Sequence, residues 1–397
     1  MDIDIRWLRD DDIDGLVLVD SMAFSAEPDL AATAARVRDH FETDRIAVAE
    51  DAGRLVGNAG AFSLRLTLPA GQVPVAAVTW VAVAPTHRRR GVMRALMERI
   101  VQQAREREES VAALYASQGP IYGNVGYGPA TFERGVSIDT RGLTFRAPPR
   151  EGIGVRIAST DELGSLLEPL MDAAVRRRVG EISLNPGLAA LRIEDWSGRS
   201  SPKPAYVLVA EERGEPVGLA VYRTSERWDD GFPAHEVTVE LLAGAHDDAC
   251  LELWRTLCSL DLVSTIRTRA ISPDDPLRWH LDDPRALRTT VLNDGLWVRL
   301  IDIGAFFTAR GVATDDRLVV DVGPAGTWEL DADGCRTSGR EPDLELGPVE
   351  LAALSLGGHR STPLARAGRI VERTPGARGR LDALLAVDPE PYCLIHF

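Results

Sequence analysis

Apolar and polar residues follow two different periods along this chain, and the switches between them mark its elements. Residues 3–8 alternate with period two, which predicts a strand. Residues 11–24 and 28–41 carry apolar positions three and four apart, which predicts two helices. Asp10 or Asp11 supplies an N-cap for the first helix. Pro28 lies in the first turn of the second, where its missing N–H costs nothing. Strands follow at 46–50 and 55–68 around the turn Asp51-Ala52-Gly53-Arg54, and again at 73–84. Over 89–107, Val92, Met93, Leu96, Met97, Ile100, Val101 and Ala104 make one stripe of an amphipathic helix. An apolar strand at 111–115, a Gly-rich turn, a short helix and a last strand pair near 131–139 complete a mixed α/β unit over residues 1–145.

After the linker-like Arg146-Ala147-Pro148-Pro149-Arg150 the pattern partly repeats. A helix is predicted over 161–179, with strands at 206–211, 217–222 and 235–242, a helix over 247–260 and a strand at 262–269. The turn Glu212-Arg213-Gly214-Glu215 matches the earlier Asp51–Arg54 turn in place, so residues 146–287 read as a diverged second copy of the first unit. From residue 288 the character changes to short strands and helices. A strand leads from 291 into a helix near 304–309, strands follow at 318–322, 327–330 and 343–346, and helices at 348–356 and 379–385. Residues 391–397 form an apolar end to this α+β unit of 288–397.

A chain of 397 residues exceeds one ordinary domain, which agrees with three units. The first residues are acidic and lead straight into a strand, and no apolar run has the ~18 residues of a membrane helix. No membrane span is expected, and a cytoplasmic location is. Net charge is −15, from 60 acidic and 45 basic residues; such a surface repels nucleic acid and anionic membranes and favours a cationic partner. Cys250, Cys258, Cys335 and Cys393 form no CxxC pair and have no His at ligand spacing, so no metal site is expected.

Candidate chemistry concentrates in Val81-Ala82-Val83-Ala84-Pro85-Thr86-His87-Arg88-Arg89-Arg90-Gly91-Val92-Met93-Arg94, where a strand enters the amphipathic helix. Unpaired N–H groups at a helix start sit at the positive end of its dipole and suit a diphosphate. Gly91 lets backbone approach a phosphate, and Arg88, Arg89 and Arg90 add charge. The order strand, Pro, Arg/Gly loop, helix resembles the acetyl-CoA motif of the GNAT superfamily of N-acetyltransferases, with Met93 where a small residue is usual. In that superfamily the strand 79–84 would splay from 111–115. Pantetheine would then bond backbone groups of Val81 and Val83 in the gap. Acyl transfer also needs a proton donor for the departing thiolate, and the phenols of Tyr122 and Tyr127 are candidates, Tyr122 at the superfamily's general-acid position. The second copy has Leu241-Leu242-Ala243-Gly244-Ala245-His246 in place of the loop, so one acetyl-CoA site per chain is expected.

Three features narrow the resemblance: Arg88-Arg89-Arg90-Gly91-Val92-Met93-Arg94, the block from Ser117 through Tyr122 and Gly126-Tyr127-Gly128-Pro129-Ala130-Thr131, and the terminal Phe397. They resemble the Eis family of acetyltransferases along the whole chain. That resemblance implies two tandem GNAT-type mixed-sheet domains followed by a domain like sterol carrier protein, a homohexamer, and acetylation of aminoglycosides, polyamine-like molecules or lysine side chains. It also implies Tyr122 as general acid and the carboxylate of Phe397 as general base. Ser117, Val81, Ala82, Val83 and the loop from Arg88 to Arg94 would contact acetyl-CoA. For a cationic acceptor, aromatic walls from Trp80, Phe24, Phe41 and Trp196 are expected, with His396 as a further substrate contact or a second base. Two other readings use the same residues: a non-catalytic acyl-CoA or lipid-binding protein, and a metabolic transferase for one amine.

Overall fold

The computed structural model describes residues 3–27, 29–198 and 205–397; the Pro28 start of the expected second helix lies outside them. The first part runs β1 (Asp4–Trp7), α1 (Ile13–Phe24), α2 (Leu30–His40), β2 (Ile46–Asp51), β3 (Arg54–Leu68), β4 (Gly71–Val83), α3 (Val92–Glu106), β5 (Val111–Tyr115), α4 (Gly119–Gly123), β6 (Gly128–Pro129) and β7 (Phe132–Asp139). Next come β8 (Ile153–Ala158), α5 (Leu163–Val175), α6 (Pro186–Ser197), β9 (Tyr206–Glu212), β10 (Glu215–Ser225), the small hairpin β11 (Trp228–Asp229) and β12 (Phe232–Pro233), β13 (His235–Gly244), α7 (Asp247–Cys258), β14 (Val263–Ile271) and α8 (Leu277–His280). The rest is β15 (Leu287–Asp294), β16 (Leu296–Leu300), α9 (Ile303–Arg310), β17 (Leu318–Asp321), β18 (Thr327–Asp331), β19 (Gly334–Thr337), β20 (Leu344–Leu346), α10 (Pro348–Leu354), α11 (Ser361–Arg366), β21 (Ile370–Glu372) and α12 (Ala377–Leu384).

Two seven-stranded sheets, ordered β1-β2-β3-β4-β5-β16-β6 and β15-β7-β14-β13-β10-β9-β8, repeat one plan, and a five-stranded sheet follows. In each large sheet the last parallel pair, β4 with β5 or β13 with β14, is joined through a helix. That helix, α3 or α7, buries its apolar stripe on the sheet.

Strand membership departs from the expected units. The strand expected to close the first unit, β7, pairs with β14 and β15 in the second sheet, while β16 inserts between β5 and β6 in the first. The expected strand from 291 breaks at Gly295 into β15 and β16. The cause is one antiparallel ribbon that passes from sheet to sheet in constant register, Asp294 facing Phe132 and Trp297 facing Pro129. At the crossing, Leu296 N–H donates to Thr131 Oγ1 at 2.8 Å and Gly295 N–H to the Thr131 carbonyl at 2.9 Å. A Cβ on Gly295 would lie 2.6 Å from that hydroxyl and push it off the Leu296 amide, which favours glycine there. The helix expected over 161–179 ends at Val175, and α6, unforeseen, starts where Asn185 accepts from Leu188 N–H at 2.8 Å with Pro186 in its first turn.

The third part locks onto the first sheet through Gly128. A Cβ there would sit 2.2 Å from the carbonyl oxygen of Val349 and 2.9 Å from the amide of Ala353, both backbone atoms of α10. Gly128→Ala is therefore expected to destabilise the protein by about 1–3 kcal/mol, seen as a lower melting temperature. An unchanged melting temperature would show that α10 can shift freely. After α12 the chain leaves this unit and returns between the two large sheets. Tyr392 N–H donates to Val179 O at 3.0 Å, and Leu394 N–H to the buried Glu181 carboxylate at 2.8 Å.

Candidate active site

At the end of β4 a short 3-10 turn over Pro85–His87 precedes a loop in which Arg89 (φ 62°) and Gly91 (φ 83°) take left-handed backbone. The Gly91 N-cap needs that conformation, and nothing lies within 4 Å of where its Cβ would be, so the approach to the helix is open. No side chain caps α3; Ala95 makes the first amide bond back, to Gly91 O at 3.0 Å. The amides of Val92, Met93 and Arg94 thus face outward at the positive end of a 15-residue helix. Val92 is buried and Met93 half-buried, which roots the turn in the core.

Two clamps hold this loop. His87 Nε2 bonds Asp51 Oδ2 at 3.0 Å, tying it to the β2–β3 turn. Arg88 donates to Ala23 O at 3.2 Å and Val83 O at 3.4 Å, which fastens it to the end of α1. Arg88 is therefore engaged with backbone carbonyls, while Arg89 and Arg90 are exposed. Arg94 reaches Asn124 O at 3.4 Å.

The slot beside the loop comes from strand geometry. β4 and β5 pair only at Val75–Val111, Ala76–Ala112 and Ala77–Ala113. Beyond that point β4 bulges: its partners on β3 step from Gly60–Thr79 to Asn58–Ala82, with Trp80 at φ 56°. The buried Asn58 side chain donates to Trp80 O at 2.6 Å and holds the bulge. β5 meanwhile stays in register with β16, Leu296 facing Tyr115. The strands separate, and the edges of residues 78–83 and 114–115 face a gap.

Tyr122 lies in α4, 7% exposed, with its hydroxyl hydrogen-bonded to Ser117 and its ring edge-on to Tyr127 at 6.3 Å. Burial raises its pKa above the usual phenol value and the Ser117 bond draws it partly back, so it stays protonated at neutral pH. Tyr127 is fully buried and its hydroxyl finds no partner among the described residues. Burial pushes its pKa up strongly, and its place is in the core.

The chain end lies against the last residue of β5. Tyr115 Oη contacts the carbonyls of Cys393 and Ile395, each at 3.2 Å. Its ring stacks on His396 at 3.8 Å and meets Phe397 edge-on at 5.5 Å. His396 Nε2 bonds Glu133 Oε2 at 3.1 Å, and the Arg192 guanidinium donates to the His396 carbonyl. Phe397 then borders a cavity of about 280 Å³ walled by Phe41, Phe62 and Trp80, with Asp20 and Arg192 also on its surface. Phe41 stacks on Trp80 at 4.7 Å and tilts against Phe62 at 5.1 Å.

The fold thus brings Trp80 and Phe41 to Phe397 but not the other expected contacts. Phe24 is 55% exposed at the end of α1 and does not border this cavity. Trp196 is buried and, like His396, lines a different cavity of about 680 Å³ against the second sheet. Asp20, Phe62, Tyr115 and Arg192 were missed. One of them left a signal: Ile13, Leu16, Val17 and Asp20 share a single helical stripe, so an acid stands at a core position.

A helix start open to anions, beside a parallel strand pair splayed at a bulge, defines an N-acetyltransferase of the GNAT class. Models of the acetyltransferase (GNAT) domain match residues 4–130 and 189–300, and the sterol carrier protein domain matches 303–394. The chain belongs to the Eis family of N-acetyltransferases. It is 34% identical to N-acetyltransferase Eis of Mycobacterium tuberculosis over 84% of each chain. To an uncharacterized N-acetyltransferase of Streptomyces coelicolor it is 34% identical over 93% of this chain and 94% of that one. The crystal structure of Eis1 from Mycobacterium abscessus superposes with a TM-score of 0.87 at 29% identity, covering 99% of this chain and 100% of that one. The fold is accordingly two GNAT domains followed by a sterol-carrier-like domain, and GNAT acetyltransferases use acetyl-CoA. No helix among the described residues is long and apolar enough to cross a membrane.

Proposed function

We propose that this enzyme transfers the acetyl group of acetyl-CoA to amines of cationic acceptors, namely aminoglycosides, polyamine-like molecules or lysine side chains. Tyr122 is the general acid and the Phe397 carboxylate the general base. The observation that carries this reading is the docking of the chain end on Tyr115, at the mouth of the β4–β5 gap.

The residues fit the co-substrate. The free amides of Val92, Met93 and Arg94 suit a pyrophosphate, with Arg89 and Arg90 for its charge, and the open edge at Val81, Ala82 and Val83 suits the amides of pantetheine. Bound there, acetyl-CoA supplies an activated thioester carbonyl. Arg88, engaged with Ala23 and Val83, shapes the loop and is not a phosphate ligand in this reading.

Phe397 first attracts the acceptor as its ammonium, because an α-carboxyl titrates near ~3.5 and an alkyl ammonium near ~10.4. Base catalysis from this end therefore calls for the amine to be held out of water, in the aromatic-walled cavity that Phe397 borders. Tyr122 keeps its proton through burial and gives it to the departing sulfur, while Ser117 fixes the direction of the hydroxyl.

The direct test is thiol release from acetyl-CoA with a panel of aminoglycosides, polyamines and lysine peptides; no turnover across the panel overturns the reading. Loss of the loop clamp is a second test. His87→Ala is expected to raise the KM for acetyl-CoA by about 3- to 10-fold with kcat little changed, since it loosens a binding loop and leaves the acid and base in place. A fall in kcat at constant KM would place His87 in the chemistry instead.

A further inference from the structure

Asp20 is out of place for a core position. It continues the buried stripe of α1, and it is one of the residues that line the cavity bordered by Phe397, Phe41, Phe62 and Trp80. One oxygen bonds the Trp80 side chain; Oδ1 is shielded from water and has no hydrogen-bond partner among the described residues. Burial raises this carboxyl to about 6.

The cations around the cavity are already engaged. Arg36, from α2, pairs with Glu194 at 3.2 Å and Asp195 at 2.9 Å. Arg192, from α6, donates to the His396 carbonyl and lies 3.8 Å from Asp195. A half-buried carboxylate with no cation is costly to keep, and an ammonium in an aromatic-walled space is its natural partner. Phe397 stands on the same cavity, which at about 280 Å³ is compact, at the lower edge of the range for small-molecule sites.

We propose that Asp20 anchors a second ammonium of the acceptor, so that the enzyme selects compact diamines, with a few methylenes between the nitrogens, over monoamines of equal length. This rests on the amine-acetyltransferase reading above and narrows its substrate class. One nitrogen faces the chain-terminal carboxylate and the thioester, while the other, still protonated, lies on Asp20 against the Trp80 and Phe41 rings. A monoamine displaces the same water and leaves Asp20 unpaired. That unpaired group is the source of discrimination.

The test compares putrescine with n-butylamine for the wild type and Asp20→Asn, which keeps the size and an acceptor for Trp80. The wild type is expected to favour putrescine in kcat/KM by at least ~10-fold, and the variant by less than about 2-fold, mainly through the KM for putrescine. A preference unchanged by the substitution overturns the assignment.

A binding arm separates this proposal from the transferase reading. With CoA present, putrescine is expected to raise the melting temperature of the wild type but not of the variant. That result would support Asp20 even if neither amine were acetylated, whereas equal shifts in both proteins would refute it.

A pH comparison checks the variant's fold. Folding raises the Asp20 carboxyl, so the wild type loses stability as pH climbs from the unfolded value of ~4 through about 6 and stays penalised at pH 8. Ligand-free Asp20→Asn should therefore gain in melting temperature, relative to the wild type, on going from pH 4 to pH 8. No such gain would mean that folding leaves the Asp20 carboxylate unpenalised, which removes the source of discrimination and refutes the proposal.

Discussion

With one glycine added beyond Phe397, acetyl transfer is expected to fall by at least ~100-fold while acetyl-CoA still stabilises the protein to heat. The extension converts the α-carboxylate of Phe397 into a neutral peptide carbonyl and moves the charge one residue further on. It leaves the tail's anchors untouched: Tyr392 on Val179, Leu394 on Glu181, and the Cys393 and Ile395 carbonyls on Tyr115. Phe397→Ala is the matching control. It keeps the carboxylate and removes the edge contact with Tyr115, so it should lose less than the extension does. An extended protein with full activity would remove the chain end from the mechanism.

Tyr122→Phe is expected to lower kcat by about 10²- to 10⁴-fold with little change in the KM for acetyl-CoA. The substitution keeps the ring in its place against Tyr127 and deletes only the hydroxyl and its bond to Ser117. Tyr127→Phe, by contrast, removes a buried hydroxyl that has no partner among the described residues, and should leave the rate near that of the wild type. The pair of variants separates a phenol that gives a proton from one that packs. Equal losses in both would mean that the two rings support the site only as bulk.

The loop from Arg88 to Gly91 was legible because every part of its logic is local. A proline that ends a strand, a glycine that accepts positive φ and an apolar stripe that starts a helix are all set within a few residues. His87 escaped notice because its partner, Asp51, lies on another turn, and nothing in a lone histidine names its carboxylate. Asp20 was legible in part, as a polar interruption of an apolar stripe. The cavity it lines is built from α2, β3, β4, α6 and the chain end, which no spacing rule connects. Phe24 and Trp196 were expected there on residue type alone, and residue type does not say which cavity a ring borders.

The sequence by itself determined the two repeats, the open helix start after β4 and the phenol that follows β5, since these follow from short-range periodicity and backbone preference. Only the tertiary structure decided where the strands pair and where the chain ends. A ribbon that joins Phe132 to Asp294 has the same alternation in either sheet, so its partner is chosen by long-range pairing and by the crossing at Thr131 and Gly295. The same holds for the tail. Residues 391–397 are apolar enough to be buried in many places, and Tyr115, Glu181 and Arg192 select one of them, at the edge of the splayed strands.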